Sequence, residues 1–308
     1  MKKFPSVILM ISLCLLGWSN ISLAEDKARH HKPFILATNQ QGALDNVVKT
    51  TKQKLVNAGF EVAGEYSPYP EAHVIVITNN EIVANAGQSK LGGFGAGLRV
   101  TLTQAGDSVQ VSYSNPVYVS HVYRMKGDMA NTRKALEQSL GFKQEYGSEK
   151  GLPSDELRDY QYKWLMPEFT DTLELVKYKN QDVALAKINQ ALKSNKAGAS
   201  KVYQINIPGK DETVIGIAMS GKDKEDCSGD RYIMSRIDFK DVRSTGHLPY
   251  EVVISNGQVY ALPAEFRIAI NFPDLSMMGS NSFASIMCAP DSIKETLTKA
   301  VGGSYEAY

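Results

Sequence analysis

The sequence predicts an α+β fold made of two repeated units, each an antiparallel sheet covered on one face by helices. Three observations predict it: short segments in which apolar and polar residues alternate, helical segments that stop at glycine, and one order of segments that occurs twice. Alternation is typical of strands with one buried and one solvent-facing side. The expected layout of each unit is strand, helix, four strands and helix.

The first unit is predicted to span residues 33–146. A strand over residues 33–38 leads into a helix over residues 46–59, whose apolar residues share one face. Alternation over residues 117–123 predicts a further strand. The remaining predicted elements are strands at 60–65, 73–78, 98–103 and 109–114, and a helix from Asp128 to Gly141.

The second unit is predicted to span residues 171–302, between a connector at 147–170 and a tail at 303–308. Alternate residues from Phe266 to Phe272 are apolar, which predicts its last strand. The remaining predicted elements are a strand at 172–178, a helix that begins at Asp182, strands at 202–207 and 214–219, a hairpin of residues 251–255 and 259–262, and a helix from Asp291 to Gly302.

Several stretches of the first unit resemble the family catalogued as domain of unknown function number 302. They are residues 55–60, 74–77, 97–100 and 111–116. A Leu-Pro pair typical of the family is replaced by Gly97-Leu98 in the first unit and kept as Leu248-Pro249 in the second. The resemblance covers residues 34–141 and, more weakly, 172–302. It implies a small α+β domain, and it implies no reaction.

Residues 1–24 have the pattern of a cleavable signal peptide. Two lysines precede an apolar run over residues 7–16, and a small-x-small site follows that ends at Ala24. The run is too short to span a bilayer. We therefore expect a periplasmic or secreted protein that has no transmembrane segment after cleavage and begins with a disordered tail at residues 25–32.

The charge balance argues against a nucleic-acid partner. The chain has 34 basic and 33 acidic residues. Cleavage removes Lys2 and Lys3 and no acidic residue, which leaves 32 basic residues (34 minus 2) against 33 acidic ones. A chain this close to neutrality lacks the electrostatic footprint of nucleic-acid or anionic-membrane binding.

Two cysteines, Cys227 and Cys288, remain after cleavage. In an oxidising compartment they can form a disulfide, which would close a loop of about 60 residues and stabilise the fold by roughly 4 kcal/mol. Two unpaired thiols and a shared metal site are the alternatives.

A glycine-rich run at residues 92–97 is the most conspicuous motif. A phosphate cradle needs glycines between a strand and a helix, whereas a strand follows this run. We expect a rim loop that borders, with residues 246–249, a groove between the two units or along an open sheet face. The residues assigned to this ligand groove are Gly92, Gly93, Phe94, Gly95, Gly97, Tyr113, Asn115, His247 and Tyr250.

Soft metal ligands cluster near the carboxyl terminus. Thioether and thiolate donors suit copper(I), and methionine also fills cores, so packing is the alternative role. With a histidine as a further ligand, the cluster predicts a copper or haem site. Its residues are Met277, Met278, Met287, Cys288 and His247.

No Gly-x-Ser-x-Gly, His-Glu-x-x-His or Cys-x-x-Cys motif occurs in the chain. The sequence therefore favours an exported, non-catalytic binding or accessory protein whose partner is a small molecule or another periplasmic protein. A periplasmic copper or haem carrier is the alternative, and an enzyme without a recognisable motif is the third hypothesis.

Overall fold

The structure, a computed structural model, describes residues 29–195, 197–223 and 225–305. Within these ranges the chain forms one antiparallel sheet of eleven strands together with nine α-helices, which confirms the α+β class. None of these helices is long and apolar enough to cross a membrane. The predicted signal peptide lies outside the described residues, as do residues 25–28 and 306–308 of the two predicted tails.

The first half of the chain carries six strands. Most of its strands and both long helices lie within a few residues of their predicted positions. The prediction succeeds there because the spacing of apolar residues in the sequence follows the buried side of each strand or helix. In chain order the elements are β1 (Phe34–Gln41), α1 (Leu44–Asn57), β2 (Glu61–Tyr69), β3 (Ala72–Thr78), α2 (Asn80–Gln88), β4 (Leu98–Ala105), β5 (Ser108–Ser114), α3 (Pro116–Val122), α4 (Ala130–Leu140), β6 (Gln144–Tyr146) and α5 (Ser154–Arg158).

The second half carries five strands. Its predicted hairpin turns at Asn256 and Gly257, whose φ angles of 51° and 78° suit a two-residue turn. Its elements are β7 (Leu173–Lys177), α6 (Gln181–Ser194), β8 (Ala199–Asn206), β9 (Glu212–Met219), α7 (Asp230–Ile237), β10 (Tyr250–Ser255), β11 (Gln258–Ala261), α8 (Ala264–Asn271) and α9 (Ala289–Ala300). Short 3-10 turns lie at Gly92–Gly95, Thr245–His247 and Phe283–Ile286.

The sheet runs through both halves in the order β6-β1-β5-β4-β3-β2-β8-β9-β10-β11-β7. The halves meet where Gly64 on β2 pairs with Tyr203 on β8. From edge to centre, the strand order β1-β5-β4-β3-β2 matches β7-β11-β10-β9-β8. The sheet is thus continuous and not divided into two, and the origin of both halves from one unit stays a prediction.

Each half sends the loop between its third and fourth strands across to the other half. In the first-half loop the Gly93 N–H donates to Glu212 Oε1 on β9 at 2.8 Å. In the second-half loop Thr245 Oγ1 lies 2.8 Å from Thr103 Oγ1 on β4. The two loops therefore interlock the halves through the centre of the molecule.

These crossing loops cover the sheet face that was predicted to meet solvent. Thr101 and Thr103 on β4 are buried because the turn Thr245–His247 lies against this strand. The loop approaches β1 so closely that a Cβ on Gly246 would lie 2.7 Å from the Phe34 ring. The expectation that the polar residues of β4 meet solvent is therefore corrected, because the crossing loop covers them.

The predicted strand at residues 266–272 is instead a helix, α8, for most of its length. Phe266 and Ile270 belong to the core of the first half, whereas Ile268 belongs to the core of the second. A helix that is buried on all sides carries apolar residues around its whole circumference. The alternation of apolar residues over 266–272 therefore does not indicate a strand.

The predicted strand at residues 117–123 is also helical. Pro116 begins α3, where its missing N–H is no loss because the first turn of a helix leaves that group unpaired. Tyr118 and Val122 are buried on this short helix. His121 stacks on His31 with a centroid separation of 6.0 Å.

Tyr203 occupies space that glycines leave open at the junction of the halves. A Cβ on Gly216 of β9 would lie 1.9 Å from Tyr203 Cε1. A Cβ on Gly64 of β2 would lie 2.8 Å from Tyr203 Cβ and 2.1 Å from the Val202 carbonyl oxygen. The pairing of β2 with β8 therefore depends on glycine at both positions.

The substitution Gly216→Ala is expected to lower the free energy of unfolding by about 1–3 kcal/mol, because the new methyl group displaces the Tyr203 ring. Urea unfolding followed by circular dichroism measures the change. Gly127→Ala is the control, since a Cβ there lies at an ordinary 3.4 Å from Asn85 Cγ. Equal losses in the two variants would contradict the tight packing at Tyr203.

Candidate functional site

The residues of the predicted ligand groove lie in the interior. The glycine run forms the 3-10 turn Gly92–Gly95, which is buried. Tyr113 OH donates to Gly141 O at 3.1 Å, and Asn115 Nδ2 donates to Lys32 O at 2.9 Å. The other buried members of the set are Phe94, Gly97, His247 and Tyr250. All of them pack protein against protein, which corrects the expectation of a rim loop beside an open groove.

The described residues do not assemble the predicted copper or haem site. Cys288 is bonded to Cys227 with an S–S distance of 2.06 Å, which confirms the disulfide and removes the thiolate ligand. His247 is wholly buried, and its Nε2 lies 3.0 Å from the Tyr250 hydroxyl. The three methionines of the set have 44%, 76% and 79% of their surfaces exposed: Met277, Met278 and Met287. In the described ranges no group of three His, Cys, Asp or Glu side chains is placed to hold a metal ion.

A cluster of buried charges joins the two halves. Arg99 Nη2 at the start of β4 lies 2.6 Å from Glu251 Oε2 at the start of β10. Arg267 Nη2 on α8 lies 3.2 Å from the same oxygen, and its Nη1 donates to the Tyr123 hydroxyl at 3.0 Å. Both arginines also donate to Pro249 O. Because these side chains are buried, the cluster supports the fold and offers no surface to a ligand.

A partly enclosed cavity of about 320 Å³ lies between the halves, beside the edge strand β6. The first half contributes Lys32 and residues 144–149, and the second half contributes residues of the segments 237–244 and 272–275. Its apolar side chains are Tyr146, Ile237, Phe239, Val242, Phe272 and Leu275. The volume falls within the range of roughly 300–1,000 Å³ that is typical of small-molecule sites.

The second-half wall of the cavity is fixed to the first half. Val242 packs against side chains of β1 and β6. Gln110 Nε2 on β5 donates to Asp241 O at 2.7 Å, and its Oε1 accepts the Arg243 N–H at 2.9 Å. Tyr146 OH donates to Arg243 O at 2.8 Å. One side chain of β5 and one of β6 therefore hold this wall through its backbone.

Asp238, the residue after α7, is a buried acid of the cavity wall. Its Oδ1 accepts the Ser244 N–H at 2.9 Å, and its Oδ2 makes no hydrogen bond to the described residues. Burial raises the pKa of this carboxyl to about 7, although the Ser244 hydrogen bond and the Arg243 charge oppose the rise. A perturbed acid that lines a cavity is typical of functional sites.

Other charged groups around the cavity already have partners. Glu145 Oε1 lies 2.8 Å from an arginine of α4. Asp274 Oδ2 accepts the Glu149 N–H at 2.6 Å and lies 3.9 Å from Lys240 Nζ. Lys32 Nζ donates to Glu149 O at 2.9 Å. Asp238 differs from these groups because its Oδ2 makes no hydrogen bond or ion pair with the described residues.

Four other depressions are larger and more open to solvent. One of about 980 Å³ is lined by residues of the segments 148–163 and 273–277. Another of about 540 Å³ contains the buried Glu212, whose Oε1 accepts the Gly93 N–H and whose Oε2 makes no hydrogen bond to the described residues. The 320 Å³ cavity is the better candidate because it is more enclosed and has more apolar side chains in its lining than the depression at Glu212.

No family model, no curated protein and no solved structure matches the chain. The resemblance of the first unit to the family of domain of unknown function number 302 therefore stays a prediction. The assignment of the candidate site depends on the geometry of this chain alone.

Asp238 and the cavity walls belong to no recognisable sequence motif. The sequence does hold one indication of them, because the loop between β9 and β10 spans residues 220–249 while its counterpart between β3 and β4 spans residues 79–97. The longer loop contains α7 and Asp238. A comparison of loop lengths between the two predicted units would have drawn attention to it, since long loops often carry function.

The substitution Glu251→Gln is expected to lower the free energy of unfolding by about 3–5 kcal/mol, because two buried guanidinium groups lose their counter-charge. Glu295→Gln is the control: it removes the exposed partner of Lys299 and should cost less than about 1 kcal/mol. Chemical unfolding of both variants measures the difference. A loss at Glu251 as small as that at Glu295 would be incompatible with the buried pair.

Relative to the variant Asp238→Asn, the wild-type protein is expected to lose stability as the pH rises from about 4 to 7. The pKa of Asp238 is about 7 in the folded protein, where burial raises it, against an ordinary value of 3.8. Between these values the folded state holds a proton that the unfolded state has released, so raising the pH favours unfolding. Above pH 7 the loss in the free energy of unfolding of the wild type, relative to that of Asp238→Asn, approaches roughly 4 kcal/mol.

Urea unfolding at pH 4, 5.5, 7 and 8 measures this difference. Asparagine keeps an acceptor for the Ser244 N–H, so the comparison isolates the charge. Asp241→Asn, at an exposed position three residues away, is the control and should follow the wild-type profile. If the free energies of unfolding of the wild type and Asp238→Asn changed with pH in parallel, the pKa of Asp238 would not be raised in the folded protein.

Proposed function

We propose that the protein is an exported, non-catalytic binding protein that holds a small, largely apolar molecule in the cavity between its halves. The observation that carries the proposal is the buried Asp238 carboxyl, which lines a cavity with apolar walls and has one oxygen without a hydrogen bond to the described residues. Sites of this kind gain affinity from burial of the ligand's apolar body and orient it with a few polar groups.

The disulfide supports export and also supports the site. Bonds such as Cys227–Cys288 are typical of oxidising compartments, in agreement with the predicted signal peptide. The bond joins the loop before α7 to the start of α9. Since α7 ends at the residue before Asp238, the bond restrains the element that carries the acid. The proposed compartment is the periplasm or the exterior of the cell.

The expected affinity follows from the size of the cavity. A ligand that buries about 150 Å² of apolar surface gains roughly 4 kcal/mol from this burial. The loss of translational and rotational freedom on association offsets part of the gain. A hydrogen bond to Asp238 restores part of it, so small fragments should bind with dissociation constants of about a millimolar or below.

Fragments with an apolar ring and one polar group are expected to bind the cavity and to shift amide resonances of residues 144–149, 237–244 and 272–275. The panel should include cationic, neutral and anionic members, each titrated into isotope-labelled full-length mature protein. Phe239→Ala removes part of the cavity wall and should weaken binding by about threefold to tenfold, since it removes roughly 1 kcal/mol of apolar contact.

Phe142→Ala is the matched control for this experiment. Phe142 and Phe239 each have 49% of their surface exposed, and Phe142 is absent from the cavity lining. Its substitution should leave the dissociation constants unchanged. The proposal fails if no fragment at millimolar concentration shifts the cavity resonances of the folded protein, or if both variants weaken binding equally.

A further inference from the structure

The proposed function leads to an inference about the ligand's chemistry. Building on that function, we infer that the ligand carries a protonated amine on an apolar body, and that the amine binds the free oxygen of Asp238. The inference rests on three features of the cavity: its apolar lining, the engagement of its two lysines and the Asp238 oxygen that has no hydrogen-bond donor.

Carboxylates outnumber ammonium groups in the cavity lining. The lining contains two lysines and four carboxyl groups: Lys32, Lys240, Glu145, Glu149, Asp238 and Asp274. Glu145 is compensated by Arg29 and Arg133, and Arg243 faces Asp238. The total charge around the cavity is therefore near balance, and the preference for a cation rests on the Asp238 oxygen that has no hydrogen-bond donor.

Both lysines of the lining already have a partner, Lys32 through a hydrogen bond and Lys240 through a longer ion pair. Lys32 Nζ donates to the Glu149 carbonyl, and Lys240 Nζ lies 3.9 Å from the Asp274 carboxylate. Neither is therefore held ready for a carboxylate or phosphate ligand. Asp238 Oδ2 lacks a hydrogen-bond donor among the described residues. An ammonium group supplies the donor that this oxygen lacks and the charge that a buried carboxylate needs.

The apolar side chains of the cavity lining indicate the other part of the ligand. Tyr146, Val242, Phe272 and Leu275 line the cavity together with the half-exposed Phe239. These side chains offer burial to a hydrocarbon or aromatic body and no further charge. A compact amine with a single ring or a short branched chain fits a volume of about 320 Å³.

Binding of an amine should strengthen as the pH rises. An alkyl amine stays protonated up to a pH of about 10, whereas Asp238 must lose its proton to form the ion pair. Burial gives Asp238 a pKa of about 7, so the carboxylate form is dominant at pH 8 and scarce at pH 6. The affinity should therefore fall between these values, by up to about tenfold per pH unit below the pKa.

The neighbours of Asp238 come from several elements. The charged and titratable groups that face it or share its cavity are Tyr69 on β2, Tyr146 on β6, Arg243 on its own loop, Lys32, Lys240, Glu145, Glu149 and Asp274. Burial raises the pKa of Tyr69 and Tyr146 well above their ordinary value, so both stay neutral between pH 6 and 8. Asp238 changes its charge within this interval.

Three probes of similar size separate the charge classes: 2-phenylethylamine, 2-phenylethanol and phenylacetate. Each is titrated into the full-length mature protein by NMR at pH 6 and pH 8, with wild type, Asp238→Asn and the exposed control Asp241→Asn. The amine should bind wild type about tenfold more tightly at pH 8 than at pH 6, whereas the alcohol should show no such change. Asp238→Asn should lose both the pH dependence and the preference for the amine, and Asp241→Asn should keep them.

The outcomes distinguish this inference from the proposed function. If the alcohol or phenylacetate binds the cavity as tightly as the amine at pH 8, the ligand class is wrong and the binding function stands. If the affinity of Asp238→Asn for the amine rises from pH 6 to pH 8 by the same factor as that of the wild type, the inference is overturned as well. If neither these probes nor the wider panel shift the cavity resonances, the binding function fails and the inference fails with it. Thermal unfolding confirms that each variant is folded.

Discussion

The buried ion pair between Arg99 and Glu251 is the contact on which the arrangement of the two halves depends. Taking each charge out of water costs several kcal/mol, and the pair is tolerable only while both partners meet. Arg99 begins β4 in the first half, and Glu251 begins β10 in the second. Any displacement of one half against the other would leave an uncompensated charge in the core. Arg267 adds a second guanidinium to the same carboxylate and fixes α8 at this point.

The same loop that brings Glu251 to the pair also forms the candidate site. From Asp238 the chain passes along the cavity, crosses β4 as the turn Thr245–His247 and enters β10. The wall of the cavity is therefore anchored at one end by the disulfide-linked α7 and at the other by the central charges. A rigid frame of this kind can keep an acid in an apolar site, where burial alone would favour its exposure.

A comparison with Asp230 shows why Asp238 is the functional candidate. Both carboxyls are buried, and burial raises the pKa of each to about 7. Asp230 Oδ2 accepts hydrogen bonds from the Tyr66 hydroxyl at 2.9 Å and from the Met219 N–H at 3.3 Å, so it ties α7 to the sheet. One oxygen of each acid lacks a hydrogen bond to the described residues, but only Asp238 of the two lines the 320 Å³ cavity. The position beside a cavity therefore separates the two acids.

Much of the secondary structure could be predicted from sequence, because the helices α1 and α6 bury one face at helical spacing and the strands β3, β4 and β9 have short apolar or alternating runs. Local patterns failed where distant residues decided burial. The alternation in α8 came from a helix packed between two cores, and the polar residues of β4 face a loop and not solvent. The glycines at residues 92–95 lie beneath the other half, which no local pattern could report. Asp238 was missed for the same reason, since its burial depends on Tyr146 and β5 more than 90 residues earlier.

Native-state amide hydrogen exchange tests most directly whether the two halves form one body around the buried charges. The slowest amides of β4 and β10 should exchange through a single opening, with equal free energies and equal dependence on urea, because neither half can open while the Arg99–Glu251 pair is intact. If β10 exchanged with a clearly lower free energy and a smaller urea dependence than β4, the halves would open separately. The cavity between them could then not be a site that the central ion pair holds in place.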